Sequence, residues 1–192
     1  MTEDAQGATP PEPDTRQRKF ARARRLVLEL GVAGLGYALL TRCQTGDLLG
    51  DGEFAPDFST LDVDGNRVTL SSIDSAPLLL HFWATWCGVC RQEFGALNAL
   101  HAELATQDAN ASQKPRLYTL AADDDAAHVK SFANQYKLNF PILLAPPPLL
   151  ASYKVKAFPT SYYLAAGRRV TAATVGMSSR WAMKARLSCA SR

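Results

Sequence analysis

Two cysteines, Cys87 and Cys90, stand where the chain changes from strand-like to helix-like periodicity. The run LLLHFWA at 78–84 is short and apolar apart from its histidine, which is typical of a strand buried on both faces of a sheet. Apolar residues then recur at helical spacing: Phe94, Leu97, Leu100 and Leu104. We therefore predict a helix from about Cys87 to Ala105, with Cys87 between the carboxyl end of a strand and the amino terminus of that helix.

A Cys-x-x-Cys pair can hold zinc, form a structural disulfide, bind Cu(I) or act as a redox couple. Tetrahedral zinc needs four ligands, and the sequence has neither a second Cys-x-x-Cys nor a paired histidine motif. A structural disulfide over so short a loop would constrain the unfolded chain very little. Two soft thiolates suit Cu(I), so a copper-binding module stays open as the alternative to redox exchange.

The predicted position of Cys87 favours redox chemistry. The free N–H groups and partial positive charge of a helix amino terminus stabilise a thiolate, so Cys87 should have a lowered pKa and act as the attacking nucleophile. Cys90, one turn further along the helix, should be more buried and resolve the mixed disulfide. A peroxidase of the peroxiredoxin group is excluded, because FWATWC lacks the proline expected ahead of a single peroxidatic cysteine.

The periodicity of residues 54–187 predicts one α/β domain, and a chain with 47% apolar and 20% charged residues can build a sizeable core. The predicted order is a hairpin, then alternating strands and helices, then an antiparallel pair of strands and a last helix, with one sheet covered by helices on both faces. Prolines 146–148 should mark a loop, because proline forbids regular helix, and Ser178 or Ser179 should cap the last helix. The segments interpreted in this way are FSTLDVDGNRVTL, RLYTLAA, DDDAAHVKSFANQY, FPILL, TSYYLAA, RRVTAATVG and SSRWAMKARLS.

The amino-terminal region has the pattern of a signal-anchor. A ten-residue window without an acid holds six basic residues: Arg16, Arg18, Lys19, Arg22, Arg24 and Arg25. The apolar segment 26–41 follows, so we predict a transmembrane helix there, a disordered cytoplasmic tail over 1–25 and a linker over 42–53. This topology predicts that the domain lies on the periplasmic side of a bacterial inner membrane. It also argues against a nucleic-acid-binding role for the basic window, because an apolar segment follows it. A poor cleavage-site pattern favours an uncleaved anchor over a cleaved signal, and an ordinary buried helix is the third interpretation of this segment.

Several segments resemble the thioredoxin superfamily, and in particular its membrane-anchored TlpA- and ResA-like thiol–disulfide oxidoreductases. LLLHFWATWCGVCRQEF is similar to their active-site segment, APDFSTLDVDGNRVTLSSI to their amino-terminal hairpin and VKAFPTSYYL to their cis-proline loop. VGMSSRWAMKARL resembles most the suppressor-of-copper-sensitivity protein D branch. The resemblance covers about residues 54 to 187 and leaves 188–192 as a tail. It implies a thioredoxin-like fold, a redox disulfide between Cys87 and Cys90, and no bound cofactor.

The resemblance also implies partners and further site residues. The partners are the thiols or disulfides of exported proteins and a membrane electron-transfer protein. Trp86 matches the tryptophan that borders the active site, and Pro159 matches the loop proline that is cis in the family. A cis bond between Phe158 and Pro159 would present the preceding backbone to an extended substrate beside the disulfide.

The sequence departs from thioredoxin at two places. Gly88-Val89 stands between the cysteines where thioredoxin has Gly-Pro, so the direction of electron flow stays open. His81 stands where thioredoxin has a buried acid, and it could relay protons to the active site. The alternative for His81 is a neutral core histidine that is hydrogen-bonded to the backbone. Cys43 and Cys189 are assigned no role, and no metal site is predicted.

Overall fold

The computed structural model describes residues 24–25, 27–32, 48–106, 116–123 and 125–191. The chain divides into two compact units, Met1–Cys43 and Gln44–Arg192. In the first unit, the described residues are helical. Among the described residues, no helix is long and apolar enough to cross a membrane. The predicted span 26–41 lies for the most part outside the described residues, as do the tail 1–25 and Cys43, so these stay predictions.

A mixed sheet of five strands forms the centre of the second unit, in the order β5-β4-β3-β6-β7. The strands of the described residues are β1 (Ser59–Leu61), β2 (Arg67–Thr69), β3 (Leu78–Trp83), β4 (Arg116–Ala121), β5 (Ile142–Leu144), β6 (Thr160–Leu164) and β7 (Val170–Val175). β1 and β2 form the predicted antiparallel hairpin as a sheet of their own. In the central sheet, β3 pairs in parallel with β4 and antiparallel with β6. The carboxyl ends of β3 and β4 therefore lie at the same edge of the sheet.

Helices cover both faces of this sheet, as predicted. They are α1 (Gly88–Ala105), α2 (Ala126–Gln135), α3 (Pro147–Ser152) and α4 (Arg180–Cys189). Every residue of β3 is buried, and successive side chains point to opposite faces. Leu79 and Trp83 belong to a core shared with α1, α2 and α4. Leu80 and Phe82 belong to a second core that includes Leu149 of α3.

The prediction of a loop at the three prolines is wrong, because α3 begins there. Pro146 is the N-cap residue and Pro147 is the first helical residue. A proline at this position loses nothing, since the first N–H groups of a helix have no partner within the helix, and its fixed φ suits the first turn. The N–H groups of Leu149 and Leu150 both bond to the carbonyl of Pro146. The rule against proline therefore applies only to later turns of a helix.

Other helix starts follow the sequence signals. Ser179, one of the two predicted candidates, caps α4, where its Oγ accepts a hydrogen bond from the N–H of Ala182 at 3.3 Å. Asp125 caps α2 by accepting from the N–H groups of Ala127 and His128. Helix α1 also begins as predicted, with Cys87 as its N-cap residue.

Candidate active site

The two cysteines lie at the junction of β3 and α1. They form a disulfide with an S–S distance of 2.14 Å and a Cα–Cα distance of 5.3 Å. The Sγ of Cys87 also accepts a hydrogen bond from the backbone N–H of Cys90 at 3.1 Å. Cys87 is 7% exposed, whereas Cys90 is completely buried. An incoming sulfur can therefore reach only the Cys87 side of the disulfide, where the helix amino terminus stabilises a thiolate.

Aromatic side chains border the disulfide. Trp86, directly before Cys87, is 68% exposed, although a tryptophan normally gains by being buried. Its ring meets that of Phe158 edge to face, with centroids 5.6 Å apart. The peptide bond between Phe158 and Pro159 is cis. Trp86 and the cis-proline loop, which are 72 positions apart in the chain, are thus neighbours in the fold.

Two further apolar side chains extend this surface. Val89, inside the Cys-x-x-Cys motif, is 47% exposed, and Met177 is 59% exposed. Met177 follows Gly176, whose N–H bonds to the carbonyl of Pro159 at 2.8 Å. The loop after β7 is thereby fixed to the cis-proline loop. We call Trp86, Val89, Phe158 and Met177 the apolar rim.

His81 lies in the centre of β3 and is completely buried. Its Nδ1 is 2.9 Å from the Oγ of Ser161, its partner across the ladder with β6. The interpretation of His81 as a neutral core histidine predicted a hydrogen bond to the backbone, but the partner is the side chain of Ser161. Burial lowers the pKa of His81 to about 3, since the charged ring would lose its hydration. His81 is therefore neutral at physiological pH.

Glu93 is a buried carboxyl that sequence reasoning missed. It lies on α1 one turn after Cys90 and is 1% exposed. One carboxyl oxygen accepts the backbone N–H of Ser178 at 2.6 Å, and the other is 3.8 Å from Nε2 of His81. Burial raises the pKa of Glu93 to about 7, against the opposing effect of the Ser178 N–H. The sequence signal was available, because Glu93 falls on the helical stripe of Cys90 and Leu97 that faces the core.

The structure brings most of the predicted site residues to one edge of the sheet. Cys87, Cys90, Trp86, Phe158 and Pro159 lie together there, and His81 lies behind them in the core. Cys189 is an exposed free thiol in the last turn of α4. Among the described residues, no cluster of three or more His, Cys, Asp or Glu side chains could hold a metal ion.

Comparisons with known proteins agree with this geometry. A model described as the AhpC/TSA family matches residues 52–162. The thioredoxin-like protein YneN of Bacillus subtilis is 34% identical over 140 residues, which are 72% of this chain and 79% of YneN. The thiol-disulfide oxidoreductase ResA of the same species is 27% identical over 148 residues, or 73% of this chain and 79% of ResA. A candidate thiol:disulfide interchange protein DsbE of Chlorobium tepidum superposes with a TM-score of 0.66 at 26% identity, over 75% of this chain and 99% of that protein. The chain therefore belongs to the AhpC/TSA family, and its Cys-x-x-Cys pair on a thioredoxin-like fold makes it a thiol–disulfide oxidoreductase.

Proposed function

We propose that the enzyme is tethered to a bacterial inner membrane by residues 26–41 and exchanges disulfides with exported proteins in the periplasm. The observation that carries the exchange chemistry is the unequal exposure of the two sulfurs at the start of α1. The location is supported by the basic window before residue 26 and the apolar segment after it. The likeness of VGMSSRWAMKARL to the suppressor-of-copper-sensitivity branch suggests copper stress as the setting.

In the reducing direction, the Cys87 thiolate attacks one sulfur of a client disulfide. A Cys87–client disulfide forms, and the other client sulfur leaves as a thiolate and takes a proton. The Cys90 thiolate then attacks the sulfur of Cys87 and releases the second client thiol, which leaves the Cys87–Cys90 disulfide. The client gains two electrons and two protons, and a membrane dithiol partner restores the reduced enzyme. Oxidation of a client dithiol follows the same steps in reverse.

Glu93 is suited to take the proton that Cys90 loses when it attacks. A carboxyl with a pKa of about 7 is present in both protonation states at neutral pH. Glu93 lies one turn beyond Cys90 on α1, and both side chains are buried on the same face of that helix. His81, with a pKa of about 3, is a poor proton acceptor at neutral pH. We therefore assign this proton transfer to Glu93 instead of to His81, for which the sequence had suggested it.

The apolar rim would bind the polypeptide on either side of a client cysteine. Trp86 offers exposed aromatic surface directly before Cys87, and the half-buried ring of Phe158 meets it edge to face. Phe158 precedes the start of β6 at Thr160, so its backbone lies beyond the sheet ladder and can pair with an extended segment. Recognition of this kind is tolerant of sequence, which suits an enzyme with many clients.

The test compares the full-length chain with Cys87→Ser and Cys90→Ser variants in insulin reduction and in cells. Cys87→Ser should abolish reduction, because no sulfur then reaches the client. Cys90→Ser should accumulate mixed disulfides with exported proteins, since attack survives and resolution does not. Mixed disulfides trapped by Cys87→Ser and not by Cys90→Ser would reverse the two roles.

Cu(I) binding by the same thiols is the outcome that would replace this proposal. A copper module should retain about one Cu(I) per chain against an excess of glutathione, because two thiolates form a strong soft site. It should also show no turnover of disulfides. Titration of the reduced chain with Cu(I), beside the insulin assay, therefore separates the two functions.

A further inference from the structure

A hydrogen-bonded cluster lies next to the cysteines and has no part in the exchange steps. It joins Thr85, two residues before Cys87, to Asp123, which follows the carboxyl end of β4. The Asp123 carboxylate accepts the backbone N–H of Thr85 at 2.9 Å and its hydroxyl at 2.7 Å. Nε2 of His128, on α2, is 3.3 Å from the same hydroxyl oxygen.

The donors and acceptors of this cluster follow from a count of hydrogens. The Thr85 hydroxyl has one hydrogen, and the carboxylate has none, so the hydroxyl donates to Asp123. The hydroxyl oxygen can then accept only from an Nε2–H of His128. Thr85 is 7% exposed, so its two donor groups are largely shielded from water. Their bonds are charge-assisted because the acceptor is a carboxylate.

These bonds hold the turn that connects β3 to α1. The N–H of Cys87 bonds to the carbonyl of Ala84 at 3.1 Å, which closes the turn over Thr85 and Trp86. The N–H of Ala122 bonds to the carbonyl of Trp83 at 2.8 Å, so the parallel pairing continues beyond the strands. Asp123 is the next residue, and its carboxylate is hydrogen-bonded to the turn at the point where the backbone pairing ends.

We propose that Asp123 is a positioning residue for Cys87, which acts through Thr85 to keep the nucleophile at the amino terminus of α1. The hydrogen bond from the Cys90 N–H to the Cys87 sulfur needs Cys87 in its N-cap position. A looser turn would let the thiolate leave this N–H and the helix amino terminus, which are the groups that stabilise it. This inference deepens the proposed function, because it rests on Cys87 as the attacking sulfur.

The direction in which the pKa of the Cys87 thiol changes when Asp123 is replaced separates two opposite effects of Asp123. If Asp123 acts by position, removing its side chain raises the pKa of the Cys87 thiol, because the thiolate loses its donors. If Asp123 acts only through its negative charge, removing it lowers that pKa. If it serves only stability, the pKa stays unchanged and the melting temperature falls.

The experiment measures alkylation of Cys87 by iodoacetamide as a function of pH in the full-length Cys90→Ser chain. Mass spectrometry of the Cys87 peptide keeps Cys43 and Cys189 out of the signal. Asp123→Ala should raise the apparent pKa of Cys87 by about one pH unit, which is about tenfold less thiolate below that pKa. Thr85→Val keeps the charge of Asp123 and the backbone bond, so it should raise the pKa by a smaller amount.

Two control variants complete the test. Thr85→Ser keeps the hydroxyl and should behave as the parent does. Asp64→Ala removes an exposed carboxylate that pairs with Lys130 of α2 at 2.7 Å, and it should leave the pKa of Cys87 unchanged. If Asp123→Ala fails to fold, Thr85→Val carries the test. An unchanged or lowered pKa in the variant that folds overturns the proposal, and because alkylation needs no client, an absence of exchange activity would overturn only the proposed function.

Discussion

Replacing Glu93 by glutamine should make the protein more stable at pH 8. The side chain is 1% exposed, and one of its oxygens is an acceptor for the N–H of Ser178 at 2.6 Å. Glutamine has nearly the same shape and keeps a carbonyl oxygen for that bond. The variant therefore removes the ionisable group and leaves the packing and the hydrogen bond in place.

The size of the effect follows from the pKa of Glu93, which burial raises from 4.5 to about 7. The folded state holds its proton over that range while the unfolded state releases it, so the wild-type protein loses stability as pH rises from 4.5 to about 7. Each pH unit is worth about 1.4 kcal/mol, which makes the loss about 3 kcal/mol in total. Glu93→Gln should therefore gain about 3 kcal/mol at pH 8 and almost nothing at pH 4.5.

His81 has the opposite dependence on pH. Its pKa falls from 6.5 to about 3, so its contribution to stability is present above 6.5 and is lost as pH falls toward 3. Between pH 4.5 and 6.5 the two slopes have opposite signs, and they should cancel in the wild-type protein. Glu93→Gln leaves only the slope of His81, so the stability of the variant should rise steadily over this range.

Urea unfolding of the full-length oxidised chain, followed by tryptophan fluorescence between about pH 4.5 and 8, measures both effects. Glu103→Gln is the control on the same helix, because the pKa of Glu103 is lowered, chiefly by the hydrogen bond from Lys184. Removing the Glu103 carboxylate should lower the stability at neutral pH, whereas Glu93→Gln should raise it. A Glu93→Gln protein that is less stable than wild type at pH 8 would refute the reasoning, because it would mean that Glu93 is ionised and paired with a charged His81.

Three further outcomes are expected. Glu93→Gln should flatten the pH dependence of insulin reduction between about pH 6 and 8, whereas His81→Asn should leave the shape of that pH profile unchanged. The reverse result would assign the proton transfer to His81. Trp86→Ala should raise KM for a protein client severalfold and change the free energy of unfolding by less than about 0.5 kcal/mol, because the ring is exposed; an unchanged KM would remove Trp86 from the client surface. Alkaline phosphatase fused after Arg192 should be active, and the fusion should stay with membranes after a salt wash; activity in a soluble periplasmic fraction would indicate a cleaved signal.

Local signals in the sequence were enough for most of the fold. The change of period at Gly88 predicted α1, and the unbroken apolar run before it predicted the fully buried β3. Acids before α2 and serines before α4 marked helix starts that the structure confirms. The failure at Pro147 came from treating proline as a breaker at every position, although the first turn of a helix needs no N–H donor.

The buried polar groups of the site depend on contacts that no local pattern contains. Glu93 could have been noticed as an acid on the apolar stripe of α1, but its hydrogen-bond donor Ser178 comes from a distant loop and its neighbour His81 from β3. Asp123 gave no signal at all, since it stands among other acids before a helix, where a capping role explains it equally well. Its contact with Thr85, across 38 positions, exists because β3 and β4 pair in parallel with Trp83 opposite Ala121. A one-residue slip in that register would turn every β4 side chain to the other face, so the strand register, rather than the Cys-x-x-Cys motif, decides which carboxylate reaches the turn before Cys87.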